Sequence, residues 1–90
     1  MLEIESTNRF KKDLKRYRYE TKIKQALNVV ITLLTQLQPL PQKHVDHPLG
    51  NNWKGSRECH IYPDVLLVYR IDKNEKKLVL ERLGSHSELF

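Results

Sequence analysis

A chain of 90 residues is the size of one domain with a small core, and its 16 lysines and arginines against 11 aspartates and glutamates give a formal net charge of +5, which favours an anionic partner. No run approaches the roughly 20 apolar residues needed to cross a bilayer, and the N-terminus lacks the basic-then-apolar order of a signal peptide, so we expect a single cytoplasmic domain over residues 1–90. The lone cysteine, Cys59, excludes an internal disulfide and a paired-cysteine zinc site, and we expect it to be buried.

The first residues predict a strand followed by a short helix. Leu2 and Ile4 alternate with glutamates, which is the period-two pattern of a strand with one buried face. Phe10, Leu14 and Tyr17 then recur at spacings of four and three, which is typical of an amphipathic helix. The serine, threonine and asparagine just before this helix can all cap its N-terminus.

The positive charge is concentrated on this helix and the residues that follow it. Between Arg9 and Lys24, eight basic residues stand against two acidic ones, a local balance of +6, so the rest of the chain sums to −1. A phosphate-binding surface has this distribution, and so does an ordinary solvated helix face. Both interpretations stay open at this point.

A second, longer helix is predicted from Thr21. Apolar residues follow one helical stripe from Ile23 to Leu37, and Pro39 ends it because proline lacks the N–H that a continuing helix would need. Only a few residues separate the two helices, which favours an antiparallel helical hairpin.

Three strand-like segments follow a long loop, "PLPQKHVDHPLGNNWKG", that is rich in proline, glycine and polar residues. The segments run from Lys54 to Ile61, from Val65 to Ile71 and from Lys77 to Leu83, with turn residues between them. Consecutive strands with short links usually pair antiparallel. The pattern therefore predicts an α+β fold, β-α-α-β-β-β, with an antiparallel sheet and the helical hairpin on one face.

The first of these segments carries polar residues beside the predicted core. Side chains alternate along a strand, so Cys59 and His60 point to opposite faces. With the helices on one side, we expect His60 on the face that stays available to solvent. If the strands stack in order, His60, Asp64, Arg82 and His86 are expected to converge at one end of the sheet.

The histidines and one arginine suit acid–base chemistry at a phosphodiester. Cleavage by a neighbouring hydroxyl needs one group to take a proton, another to give one, and a cation for the charge that develops at phosphorus. His47, His60 and His86 can exchange protons near neutral pH. Arg82 has the fixed charge and forked geometry that suit a phosphate. Each histidine can equally be a structural or loop residue.

Other chemistry has less support in the sequence. His44, Asp46 and His47 form a cluster of metal-ligand types without a matching second pair, so we expect no metal site and no cofactor. Neither a nucleophile elbow nor a glycine-rich phosphate loop is present.

Three further residues have two interpretations each. Asp64 follows Pro63, as in many turns, and can be a turn residue instead of a functional one. Trp53 can fill the core, which we expect, or stack on a base. Phe90 either packs onto the core or stacks on a base.

The stretches "DHPLGNNWKGSRECHIYPDVLLVYRI" and "ERLGSHSELF" resemble the YafQ-like branch of the RelE superfamily of bacterial toxin endoribonucleases. The shared pattern is Asp-His-Pro-Leu, then Trp-Lys-Gly-x-Arg-x-x-His-x-x-Pro-Asp, and finally Glu-Arg-x-Gly-x-His. The resemblance implies a RelE-like fold and a type II toxin that cleaves mRNA on the 70S ribosome. It also implies a cognate antitoxin similar to DinJ or RelB, with operator DNA bound only through the toxin–antitoxin complex.

The resemblance further implies roles for single residues. His86 is expected to transfer protons and Arg82 to hold the phosphate of the transition state. We expect His47, His60 and Asp64 to be further acid–base or positioning groups. The resemblance does not decide which group acts as the base and which as the acid. Substrate contacts are expected from Phe90, Lys54, Arg57, Lys11, Lys15 and Arg16.

The chain departs from the family pattern at Val65, where tryptophan commonly follows the aspartate. This departure affects the expected codon or base preference more than the expected activity. A non-catalytic RelE-like module that binds gyrase, nucleic acid or an antitoxin is the alternative function. Such a binder would have no need of the histidine–arginine set.

Overall fold

The computed structural model describes residues 1–90 except for the side chain of Asn52. The elements are β1 (Glu3–Ser6), α1 (Asn8–Lys15), α2 (Thr21–Thr35), a 3-10 turn (Gln42–His44), β2 (His47–Pro48), a second 3-10 turn (Asn51–Trp53), β3 (Arg57–Tyr62), β4 (Val65–Asp72), β5 (Lys77–Gly84) and α3 (His86–Leu89). The predicted α+β fold with its helical hairpin is confirmed. Among the described helices, none combines the length and apolar character needed to span a membrane.

The five strands form one sheet in the order β1-β5-β4-β3-β2. The expected antiparallel pairing holds from β2 to β5. At the other edge, β1 pairs with β5 in parallel, with Glu3 opposite Lys77 and Ser6 opposite Leu80. The helical hairpin carries the chain from β1 to the far side of the sheet. The strands that follow return across the sheet by antiparallel steps, so β5 arrives beside β1 in the same direction.

Helices α1 and α2 form in the two segments for which the sequence predicts helices. Thr7 caps α1, its hydroxyl accepting a hydrogen bond from the Phe10 N–H at 3.0 Å. In α2 the buried apolar residues are Leu27, Val30 and Leu34. The predicted stripe ran to Leu37, but that residue lies beyond the helix in a left-handed conformation (φ 56°) and is exposed. The helix therefore ends before Pro39.

The main core lies between the helical hairpin and the sheet. Cys59, Leu67 and Leu83 are fully buried there, and burial raises the pKa of the Cys59 thiol to about 12. The expectation that Cys59 is buried is confirmed. Val65 also packs into this core, so it offers no stacking surface next to Asp64.

The opposite face of the sheet, which was expected to be available to solvent, is covered in part. Leu66 and Val68 point to this face and pack with Leu89 of α3 and with the half-buried Leu49 and Trp53. The long loop contributes to this cover because β2 pairs with β3. The tail after β5 contributes because it folds into α3. Ser85 forms a capping box with Glu88 at the start of α3.

Candidate active site

Two of the predicted histidines lie on the sheet face opposite the helices. In the strand register His47 of β2 stands opposite Glu58, and Glu58 stands opposite Val68. His60 stands opposite Leu66 in the next row. Residues directly opposite each other share a face, and Leu66 and Val68 belong to the cluster on the helix-free side. The expected placement of His60 on that face is confirmed, and short β2 brings His47 to the same face.

The hydrogen bonds of His47 indicate its tautomer. Its Nδ1 lies 2.7 Å from the carbonyl oxygen of Val45. A carbonyl only accepts hydrogen bonds, so Nδ1 carries a proton. The other ring nitrogen, Nε2, lies 3.6 Å from a carboxylate oxygen of buried Glu58. His47 thus presents Nε2 beside a buried carboxylate, an arrangement suited to proton transfer.

Asp46, the residue before His47, is anchored to the sheet. The Tyr69 hydroxyl donates a hydrogen bond to Asp46 Oδ1 at 2.6 Å, and Arg57 Nε donates to the same oxygen at 3.2 Å. Burial, together with the nearby Asp46 carboxylate, raises the pKa of Tyr69 well above its ordinary value. Arg57, predicted as a substrate contact, is therefore engaged in an ion pair that fixes the strand carrying His47.

Arg82 is held by Asp13 of α1. Arg82 Nε and Nη2 donate to the Asp13 carboxylate at 2.8 and 3.3 Å, and the backbone N–H of Leu83 donates to it at 3.0 Å. Burial opposes the charge of Asp13, but the hydrogen bonds from Arg82 and Leu83 outweigh it and lower the pKa of that carboxyl. Arg82 Nη1 makes no hydrogen bond within the described residues, so it stays available to an anion.

A bulge in β5 directs Arg82 toward α1. Val68 pairs with Arg82 and Tyr69 pairs with Leu80, which leaves Glu81 as the extra residue. A bulge of this kind changes the direction of the side chains beside it. The sequence patterns above assigned no role to Asp13, although its place three residues after Phe10, on the core-facing side of a basic helix, was a visible signal.

His86 and Phe90 form an aromatic edge of the site with Trp53. The ring centroids of His86 and Phe90 lie 5.3 Å apart, and those of Phe90 and Trp53 lie 5.7 Å apart in an edge-to-face arrangement. Trp53 also packs on Leu66 and Val68. Phe90 thus packs against Trp53 and His86, while its side chain stays 48% exposed, so base stacking stays a prediction.

Asp64 lies in the exposed turn between β3 and β4. Burial and the charge of Glu88 raise the pKa of Tyr17, and Asp64 is close enough to add to this effect. Glu88 also forms an exposed ion pair with Arg16 at 3.1 Å. This ion pair joins the end of α1 to α3, and the pairing of Leu66 with Gly84 places the β3–β4 turn beside the start of α3. Among the described side chains, no hydrogen bond or ion pair joins His60, Asp64 and His86.

Lys11 and Lys15 lie elsewhere. They line a groove of about 500 Å³ between α1 and α2, with Phe10, Leu14 and Leu27 on its apolar floor. This groove is on the helix side of the sheet, whereas His47 and His60 are on the other side.

The candidate metal cluster of the sequence has other roles in the structure. His44 Nδ1 lies 2.6 Å from the carbonyl oxygen of His60, Asp46 binds Tyr69 and Arg57, and His47 faces Glu58. Across the part of the chain that the structure describes, no three histidine, cysteine, aspartate or glutamate side chains are grouped to hold a metal ion.

Comparison with known proteins assigns the chain to a family. The family model described as "Bacterial toxin of type II toxin-antitoxin system, YafQ" matches residues 2–90. The mRNA interferase toxin YafQ of Escherichia coli (strain B / BL21-DE3) is 39% identical over 89 residues, which cover 98% of this chain and 95% of that protein.

Two solved structures share the whole fold. The metal-bound toxin from Helicobacter pylori is 50% identical with a TM-score of 0.92, and the match covers 100% of both chains. A chain of the E. coli DinJ–YafQ complex is 38% identical with a TM-score of 0.86, and the match covers 100% of this chain and 99% of that one. The chain therefore belongs to the YafQ family of bacterial toxins of type II toxin–antitoxin systems.

Proposed function

We propose that this protein is an endoribonuclease that cleaves mRNA bound to the ribosome and thereby inhibits translation in the cytoplasm, with residues 1–90 acting as one toxin domain. The observation that carries the proposal is the helix-free sheet face, where His47 stands beside Glu58. Arg82 lies in the same cross-strand row, on β5, where Asp13 holds it. The name of the E. coli relative, an mRNA interferase, adds support.

The reaction is an attack of the ribose 2′-hydroxyl on the adjacent phosphorus. One histidine takes the 2′-hydroxyl proton and another gives a proton to the leaving 5′-oxygen, with His86 as one of these two groups. The free edge of the Arg82 guanidinium stabilises the charge on the phosphate. His47, His60 and Asp64 supply the remaining proton transfer and positioning. Side chains perform every step, so the proposed reaction uses no metal ion or cofactor.

The exposed ring of Phe90 stacks on a base of the mRNA. Lys54 contacts its phosphates, while Lys11 and Lys15 contact ribosomal RNA from the helix side. Arg16 and Arg57 are each engaged by a carboxylate, at 3.1 and 3.2 Å respectively. Their contribution to RNA binding is therefore smaller than that of the lysines, because binding RNA would compete with these ion pairs.

A cognate antitoxin similar to DinJ or RelB is the proposed protein partner. The solved E. coli complex of DinJ with YafQ supports it. An acidic, apolar segment of such an antitoxin matches the groove between α1 and α2, whose floor is apolar and whose rim carries Lys11, Lys15, Arg18 and Lys24. Binding of operator DNA follows only through the toxin–antitoxin complex.

Cleavage of a defined mRNA, free and bound to 70S ribosomes, tests the proposal. Wild-type protein should cut the ribosome-bound mRNA, and His86→Ala should slow cutting by roughly a hundredfold to ten-thousandfold. Ser87→Ala is the matched control because it changes an exposed neighbour on the same helix. If wild-type protein cuts neither form of the mRNA, the endoribonuclease proposal is wrong and a non-catalytic binding module becomes the better hypothesis.

A further inference from the structure

A second polar cavity lies beside Trp53, outside the histidine set described above. Its volume is about 500 Å³. The lining residues come from α1, the second 3-10 turn and its flank, β4 and β5: Arg9, Trp53, Lys54, Ser56, Arg70 and Glu81. We call it the Arg70 cavity.

The cations of the Arg70 cavity lack carboxylate partners. Among the described side chains, Arg9, Lys54 and Arg70 form no ion pair within 4.0 Å. The one carboxylate in the lining, Glu81, accepts a hydrogen bond from the Ser56 hydroxyl. Three positive charges thus face one negative charge. By contrast, a carboxylate is paired with each of Arg16, Arg57 and Arg82.

This charge pattern suits an anion with several oxygens. Three cations around one cavity repel one another, and a bound anion would remove that cost. Arginine binds phosphate oxygens through two N–H groups at once, which adds directional preference to the charge. Arg70 is half-buried on a central strand, so its position is better defined than that of exposed Arg9 and Lys54.

A chain of aromatic contacts links the Arg70 cavity to the candidate active site. Trp53 forms part of the cavity wall and also contacts Phe90, and Phe90 contacts His86. An RNA strand whose cleaved linkage lies at His86 can pass over Phe90 and Trp53 to reach Arg70. Aromatic faces support such a path because bases stack on them with little sequence preference.

We propose that the Arg70 cavity binds a phosphodiester group of the mRNA that flanks the cleaved one. The inference rests on the proposed function. It names mRNA instead of ribosomal RNA as the source of the phosphate because the cavity and the cleavage site share the Trp53–Phe90 wall. Arg70 is then a substrate-binding residue that holds the strand in register for cleavage.

The test removes the charge from either partner. Each synthetic mRNA carries one neutral methylphosphonate linkage, placed next to the cleaved linkage on its 5′ or its 3′ side. Wild type and Arg70→Gln then cut these mRNAs on 70S ribosomes under single-turnover conditions. In wild type, one of the substituted linkages should slow cutting by roughly tenfold. Arg70→Gln should slow cutting of the all-phosphate mRNA by a similar factor and show no additional loss with that substituted linkage.

Two further variants complete the experiment. Lys73→Gln removes the same charge from an exposed turn position that lines a different cavity, so it should respond to the substituted linkage as wild type does. Arg9→Gln changes an exposed residue of the Arg70 cavity and should weaken the response in part, which covers the case in which Arg70→Gln fails to fold.

The outcomes separate this inference from the proposed function. Suppose that wild type cuts mRNA, but that the substituted linkage lowers the cleavage rates of Arg70→Gln and Arg9→Gln by the same factor as that of wild type. The inference is then overturned, while the proposed endoribonuclease activity stands. The same holds if these variants only bind ribosomes less tightly, because ribosomal RNA would then be the partner. If wild type cuts no mRNA, both are overturned.

Discussion

The two faces of the sheet differ in how they are covered and in what they carry. The helix-covered face buries the main core, including Leu67 and Leu83, which have no exposed surface. The other face has a small apolar cluster of Leu66, Val68 and Leu89, and it also carries the candidate catalytic residues His47 and His60. Stability is therefore concentrated on one side and chemistry on the other, so substitutions on the two faces should have different effects.

Among the strand residues of the helix-free face, the largest expected effect on activity is at His47. His47→Gln should slow cutting of ribosome-bound mRNA by about a hundredfold or more, because the ring nitrogen beside Glu58 loses its proton-transfer capacity. The thermal midpoint of unfolding should hardly change because the side chain is 44% exposed. Single-turnover rates and melting curves measure the two quantities. An unchanged rate, or a large loss of stability, would contradict the separation of the faces.

The largest expected effect on stability is at Leu67. Leu67→Ala should lower the free energy of unfolding by about 2–5 kcal/mol because it leaves a cavity in the main core. Leu89→Ala is the matched change on the other face. Compared with Leu67→Ala, it should lower the free energy of unfolding less and the cleavage rate more, because Leu89 packs α3, which carries His86, onto the sheet. Urea titrations and cleavage rates compare them. The comparison fails if both variants lose stability and activity in equal proportion.

Asp13 connects the two faces and should show an intermediate effect. Asp13→Asn removes the carboxylate charge that holds the Arg82 guanidinium in place, so kcat should fall by roughly tenfold while KM stays near its wild-type value. Glu20→Gln, an exposed change on the same side of the molecule, is the control. A rise in KM with unchanged kcat would show that Arg82 binds the ground state instead of the transition state.

The smallest expected effect is a dependence of stability on acid. The pKa of Asp13 is lowered below its ordinary value of 3.8 in the folded protein. Its contribution to stability is therefore fully present above that ordinary value and is lost as pH falls through the lowered pKa. Asp13→Asn should flatten the fall in stability below about pH 4, measured by urea titration across pH. An identical acid profile in wild type and variant would contradict the proposed role of the carboxylate.

Much of the fold follows from local patterns in the sequence. The apolar stripes predict α1 and α2, and the alternating segments predict β3 to β5. The capping box of Ser85 and Glu88 was also visible in the sequence, and α3 could have been predicted from it. Strand β2 could not be predicted, because its two residues are a strand only by pairing with β3.

The candidate site depends more on contacts that are distant in sequence. The Asp13–Arg82 pair joins residues 69 positions apart, and the bulge at Glu81 appears only in the pairing of β4 with β5. No short motif carries such information. The sequence therefore indicates which residue types are present for acid–base chemistry, whereas the register of the sheet determines which of them meet.

The pairing of β1 with β5 has a consequence for the order of folding. Glu3 and Lys77 pair only after the long chain segment between them has closed into a loop. Such contacts form late in folding, because the chain loses the entropy of loop closure before the contacts stabilise it. Until then β5 is an edge strand with unpaired backbone groups, which other chains can join. We therefore expect newly made protein to be most prone to aggregate before β1 docks, and a partner that shields this edge would act as a chaperone.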